Sequence, residues 1–327
     1  MALASIITGV ACILFVESTS ILPALLSRFI MGFCGAFAFV GTLRIASTYF
    51  SIRTFSILTG ITQAMGMMGA AFGQGPLRYY IDNLGPRLTM VSFSLLFFII
   101  SIGFFFVKLP MNTNDMKTKH DFKALRNFKS ILKIKPLWVN CIYIGCLYGP
   151  TTVFAEMWGV NYTESFRSLS HTQSAFIVSL IFIGMIVGCS LFGLVGLRVK
   201  NVTLMRLSAF FSLMVMIVII YIPRINISLL PLMFFIYGVS NAGIIPAYTR
   251  AAKIVNSHMS GLALGITNMF SILIGSIMIQ IVGLFLSFFD HKGLPISMSS
   301  ANSYQLVFLM LIICFFIALL ISIRIKE

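Results

Sequence analysis

Long apolar runs separated by short polar breaks set the pattern of this chain. Runs approaching a membrane-crossing helix, about 20 residues, occur at 2–16, 22–43, 55–77, 88–107, 136–158, 173–197, 203–223, 228–249, 259–286 and 303–323. The first is short. It has no basic flank and no small-residue cleavage site before Glu17, so it does not read as a signal peptide. One long polar stretch interrupts the pattern. It carries Lys108, Lys117, Lys119, Lys123, Arg126, Lys129, Lys133 and Lys135 against Asp115 and Asp121. The pattern predicts an all-α polytopic membrane protein. Residues 1–107 form an N-terminal bundle, 108–135 a cytoplasmic linker and 136–327 a C-terminal bundle.

Composition sharpens this picture. Apolar residues make up 59% of the chain and charged residues 9%, whereas a soluble domain has roughly 25% charged. Too few charges remain to cover a water-exposed surface, so lipid is the main solvent. The net charge of +15 then needs no nucleic acid. No basic patch is interleaved with aromatics outside the runs.

Lys and Arg in alternate loops set the orientation, because cytoplasmic loops are enriched in them. On one side fall Arg44, Arg53, the basic residues of the linker, Arg198, Lys200, Arg206, Arg250, Lys253, Arg324 and Lys326. On the other fall Arg78, Arg87, Arg167, Arg224 and Lys292. Both termini are therefore expected in the cytoplasm. The six cysteines, Cys12, Cys34, Cys141, Cys146, Cys189 and Cys314, all fall within apolar runs and read as small hydrophobes. No phosphate-binding loop, HExxH or Cys/His cluster is present. No enzyme, cofactor or metal is expected.

An internal repeat carries more information. Phe29, Ile30, Met31 and Gly32 align with Phe235, Ile236, Tyr237 and Gly238, 206 residues on. The same offset aligns Ala36 with Ala242, Arg44 with Arg250, Gly69 with Gly275 and Gln74 with Gln280. Both copies run outside to inside. That makes a parallel repeat about an axis along the membrane normal, an arrangement of one large class of secondary transporters. The offset puts a counterpart of Pro136 before Met1. The expectation is a chain lacking the first two helices of a twelve-helix protein.

At these residues the chain resembles the major facilitator superfamily, over its whole length. Arg28 followed four residues later by Gly32 is similar to the family's fourth-helix motif. Gly66, Gly69, Gly73, Gly75 and Pro76 resemble its Gly-rich, Gly-Pro-containing fifth helix. Phe154, Ala155, Glu156, Met157, Trp158 and Gly159 resemble a seventh-helix ending of a bacterial branch. Gly193 and Arg198 keep parts of the loop motif after the eighth helix, but Leu197 stands where Asp is expected. The resemblance implies a bacterial inner-membrane secondary transporter, working as a monomer by alternating access. By the same resemblance helices one, four, seven and ten line a cavity, which selects Asn140, Tyr143, Tyr148, Tyr237 and Asn241.

Each candidate has a plainer alternative. Arg28 either binds substrate or snorkels to the outer interface. Arg44 and Arg250 read as anchors at the inner face. The glycines, Gly32 among them, read as close-packing positions. Pro76, Pro150 and Pro246 should kink their helices. The polar cavity residues could instead bond between helices. Glu156 lies in the outer third of its span; a partly desolvated carboxylate there suits a proton carrier. Beside Trp158 it equally suits an interfacial anchor. The expected function is proton-coupled transport of a small solute, with a non-transporting truncated remnant as the alternative.

Overall fold

The structure is a computed structural model that describes residues 1–106, 129–167, 169–222, 226–256, 259–291 and 296–325. Most of the basic linker thus lies outside the described residues. The elements are helices throughout. They are α1 (Ala2–Val16), α2 (Ile21–Tyr49), α3 (Ile52–Phe106), α4 (Lys135–Thr151), α5 (Gly159–Arg167), α6 (His171–Val195), α7 (Asn201–Tyr221), α8 (Leu230–Ser240), α9 (Ile244–Ile254), α10 (Ser260–His291) and α11 (Ile296–Arg324). A π-helical turn, Thr152–Trp158, joins α4 to α5, and a 3-10 turn, Asn241–Gly243, joins α8 to α9. Among the described residues, nine stretches are long and apolar enough to cross a membrane, with Ala2–Val16 a shorter apolar helix. These coincide with the ten apolar runs.

The expected outer loop between 77 and 88 is itself helical. Helix α3 continues through it and breaks only at Gly85, with φ 78° and ψ 159°. That backbone region is open to glycine and strained for other residues. Pro86 follows, its fixed φ suited to a first helical position, and the second half of α3 restarts there.

The chain divides into two compact units, Met1–Ile45 with Pro76–Lys133, and Ala46–Gly75 with Ile134–Glu327. In the first, α1 lies against the latter half of α3. A Cβ on Gly9 would stand 3.2 Å from the Phe98 ring and the Ser94 carbonyl oxygen. The Ser101 hydroxyl donates to the Ala2 carbonyl at 3.1 Å. Arg87 pairs with Glu17 at 2.8 Å across this contact.

The second unit is more densely packed. Helices α6 and α8 approach so closely that a Cβ on Gly184 would collide with the Phe235 carbonyl, and one on Gly238 with the Ile181 carbonyl. Only hydrogen side chains let two backbones meet in this way. Phe154, Tyr162, Phe234, Tyr304 and Phe308 form an aromatic cluster with centroids 5.4–5.9 Å apart. The Arg206 guanidinium donates to the carbonyls of Ser322, Ile323 and Ile325 at 3.0, 3.2 and 3.4 Å. A cation thereby meets the unsatisfied carbonyls that close α11.

The repeat is visible in the element bounds. Moved by 206 residues, the bounds of α2 become 227–255, and the chain is helical there from Ile227 to Ile254, counting its two 3-10 turns.

Candidate functional site

Six of the expected site residues belong to the second unit, on the first and fourth of the long spans that follow the linker, Lys135–Ser165 and Leu230–Ile254. Pro150 lacks the N–H that would close a helical bond to Cys146, and the widened turn Thr152–Trp158 follows it. A π-turn shifts the phase of the helix face, and such turns concentrate at functional sites. Thr152, Val153, Phe154 and Ala155 are buried, whereas Glu156 is exposed. The Tyr148 hydroxyl donates to Glu156 Oε1 at 3.2 Å. Among the described residues Glu156 is in no ion pair, whereas Glu17 meets Arg87 and Glu164 meets His171. Glu164 lies in the last turns of this same helix, which runs on to Arg167.

The fourth span is interrupted at Asn241–Gly243, and the side chains around the break repair it. Ser208 on α7 donates to the Ser240 carbonyl at 2.5 Å and accepts from the Gly243 N–H at 3.0 Å. Two backbone groups that the break would orphan are thus satisfied. The Tyr143 hydroxyl donates to the Met205 carbonyl at 2.8 Å. It also lies where a side chain on Gly243 would reach, 2.9 Å from a Cβ there.

Two amides clamp α4 to the fourth span. Asn140 donates to the Ala247 carbonyl at 3.0 Å, and Asn241 donates to the Leu147 carbonyl at 3.1 Å. The clamps stand two turns apart and point in opposite directions along the pair. Tyr237 shares a 2.7 Å hydrogen bond with Thr151 beyond the second of them. Asn140, Tyr143, Tyr237 and Asn241 are fully buried. The Oδ1 atoms of both asparagines, and Thr152 Oγ1, are buried without a hydrogen-bond partner among the described residues. Such groups are exceptional in a packed interior.

The structure therefore brings Tyr148 to Glu156 and joins Asn140, Asn241 and Tyr237 to the facing helix. Arg28 belongs to the first unit. It is exposed, with its guanidinium 4.3 Å from the centre of the Phe15 ring, a cation–π contact. Around Gly32 a Cβ would meet no described atom within 4 Å. Gly193 faces the Ser56 carbonyl at 3.1 Å by the same measure, and Gly60 faces the Cys189 carbonyl at 2.5 Å. Arg198 is exposed in the turn after α6. Gly75 and Pro76 lie within α3; their surroundings fall outside the described residues.

Sequence reasoning missed the hydroxyls that complete these bonds. Thr151 and Ser208 carry as much of the network as the tyrosines. Their signal was weak, since a lone Ser or Thr in an apolar run commonly bonds its own helix. Among the described residues no three His, Cys, Asp or Glu are placed to hold a metal.

Among the described residues, nine membrane-length apolar helices joined by buried polar clamps define a multi-pass membrane protein. The sequence matches the family model of the Major Facilitator Superfamily over residues 1–279, and the chain belongs to that superfamily. It is similar in fold to a Major Facilitator Superfamily transporter, FucP, in the outward conformation. The TM-score is 0.69 at 13% identity, covering 100% of this chain and 82% of that one. It is also similar to the human organic anion transporter MFSD10 (TETRAN), with a TM-score of 0.65 at 15% identity, covering 97% and 76%. Comparison with the curated proteins gives no match.

Proposed function

We propose that this protein is a secondary active transporter that moves a small solute across the membrane by alternating access, with Glu156 carrying the coupling proton. The observation that carries this reading is the Glu156 carboxylate. It is exposed on a mostly buried span, within the π-turn, with the Tyr148 hydroxyl as its partner at 3.2 Å. A carboxylate with no basic partner can take up and release a proton without first breaking an ion pair. Intramembrane ionisable groups generally mark such pathways. The setting is a bacterial inner membrane, with both termini in the cytoplasm. An impermeant thiol reagent applied to intact cells should then label Lys292→Cys and spare Lys123→Cys.

Residues 1–107 and 136–327 are the two moving bundles in this reading. Residues 46–75 pack with 134–327 in the second unit, and that packing is the contact a rocking motion must open. Ser47 meets Ser260 at 3.0 Å, Thr249 meets Ser56 at 3.4 Å, and Gly60 closes on Cys189. All lie toward the end of the spans that the basic residues assign to the cytoplasm.

Two measurements test the proposal in proteoliposomes. Glu156→Gln should abolish gradient-driven accumulation and its pH dependence while leaving counterflow exchange. Accumulation that survives with the same pH dependence would remove Glu156 from the coupling. A Ser47→Cys, Ser260→Cys pair, in a background without the natural cysteines, should cross-link under oxidation. Transport should stop and return on reduction. Undiminished transport in the cross-linked protein would reject these contacts as a gate.

A further inference from the structure

A recess of about 350 Å³ lies in the second unit, between the turn that joins α2 to α3 and the ends of α9 and α10. Its lining includes apolar Phe50, Ile52 and Phe55 and polar Lys253, Ser47 and Ser260. Its depth in the membrane follows from the spans that end there. Tyr49 closes one span, Ile52 opens the next, Ile254 closes a third and Ser260 opens a fourth. Four span ends at one place set the recess at the level where acyl chains give way to headgroups.

The chemistry at that level is lopsided. No Asp or Glu occurs between residues 46 and 75 or between 247 and 289. Lys253 is exposed and makes no hydrogen bond or ion pair with a described residue. Arg53, also exposed, follows Ile52 in the first turn of α3. Phe50 and Ile52 are 50% and 43% exposed. At a headgroup boundary such apolar surface faces glycerol and the first methylenes. The recess thus offers a cation and two hydroxyls beside an apolar wall, with no carboxylate nearby in the sequence to compete.

We propose that this recess binds the phosphoryl headgroup of an anionic phospholipid. The phosphate oxygens accept from the Lys253 ammonium, beside the Ser47 and Ser260 hydroxyls, which hydrogen-bond each other at 3.0 Å. The glycerol and upper acyl chains lie on Phe50 and Ile52. Basic pockets between membrane helices on the cytoplasmic side suit such headgroups. The seat touches two helix ends that the internal repeat relates, since Ser47 in α2 and Lys253 in α9 stand 206 residues apart. Occupancy therefore favours the arrangement in which those helix ends adjoin.

The test uses the full-length protein in detergent, titrated with phosphatidylglycerol, phosphatidylcholine, glycerol phosphate or inorganic phosphate. Bound lipid is read by native mass spectrometry and melting by intrinsic fluorescence. Phosphatidylglycerol should be retained over phosphatidylcholine by about fivefold, the effect of one cation near an anionic headgroup. Lys253→Gln should remove that preference, Lys253→Arg should restore it, and Lys200→Gln should leave it intact. Equal retention of the two lipids, or an unchanged preference in Lys253→Gln, would overturn the site. Stabilisation by free phosphate equal to that by the lipid would overturn the lipid as its occupant. Melting of the lipid-free Lys253→Gln protein near that of the parent separates lost binding from misfolding.

Discussion

The span Ile21–Tyr49 and its repeat-related counterpart Leu230–Ile254 share a sequence pattern but meet different surroundings. The first is 17% buried and the second 67%. Gly32 has no described neighbour for a Cβ within 4 Å, whereas Gly238 sits against the Ile181 carbonyl. Phe29 and Phe33 are 71% and 60% exposed; in the second copy Tyr237 and Asn241 are buried and bonded. Hydrophobicity cannot produce this contrast, because lipid tails are as apolar as leucine. Small residues that admit a backbone, and polar groups that need a partner, decide which face packs.

The sharpest way to break the comparison is to put a side chain on both glycines. Gly238→Val should cost at least about 3 kcal/mol, because backbone atoms of α6 and not a flexible side chain stand in its way. Gly32→Val should stay within roughly 0.5 kcal/mol. Fluorescence-detected gel filtration after a heating series measures both, and equal losses would erase the distinction.

The buried hydroxyl pair comes next. Tyr237→Phe and Thr151→Val should each destabilise by about 1 kcal/mol. The double variant should lose little more than either, since both remove one hydrogen bond. Additive losses would show that the bond is not what holds these side chains. Met31→Leu, at the position matching Tyr237, should be neutral.

Asn241→Leu removes a clamp on the Leu147 carbonyl. The expected loss is about 0.6 kcal/mol, the average for hydrogen bonds between membrane helices. A gain in stability would instead identify the unpartnered Oδ1 as the dominant cost at this position.

The smallest effect belongs to the first unit. Arg87 and Glu17 are 76% and 49% exposed, and Arg87→Gln should cost less than about 0.5 kcal/mol, since solvent screens such pairs. A larger, salt-sensitive loss would mean that this unit relies on its surface charges as the second does not.

Much of this architecture is written in the sequence. A span must satisfy its backbone internally and present apolar side chains to lipid, so each helix announces itself by length and composition alone. The same constraint made the repeat, the basic loops and the family legible. It did not extend to residues 77–84, where the polar residues between two apolar runs suggested a loop and the chain is helical up to Gly85. Polarity reports the solvent at a position, and water at a membrane surface tolerates helix as readily as loop.

The site was legible only as a set of residue types. The family resemblance singled out Asn140, Tyr143, Tyr148, Tyr237 and Asn241 as polar residues of spans expected to line a cavity, and Glu156 stood out because it is ionisable. It could not say that both asparagines would clamp carbonyls of the facing helix, or that Ser208 would mend the break at Asn241–Gly243. It could not say that a π-turn would leave Glu156 exposed within reach of Tyr148. Those outcomes depend on which backbone groups lose their helical partners and which neighbouring helix stands opposite. Only the tertiary structure fixes both, because a hydrogen bond needs its donor within about 3 Å of an acceptor, and that distance is set by packing.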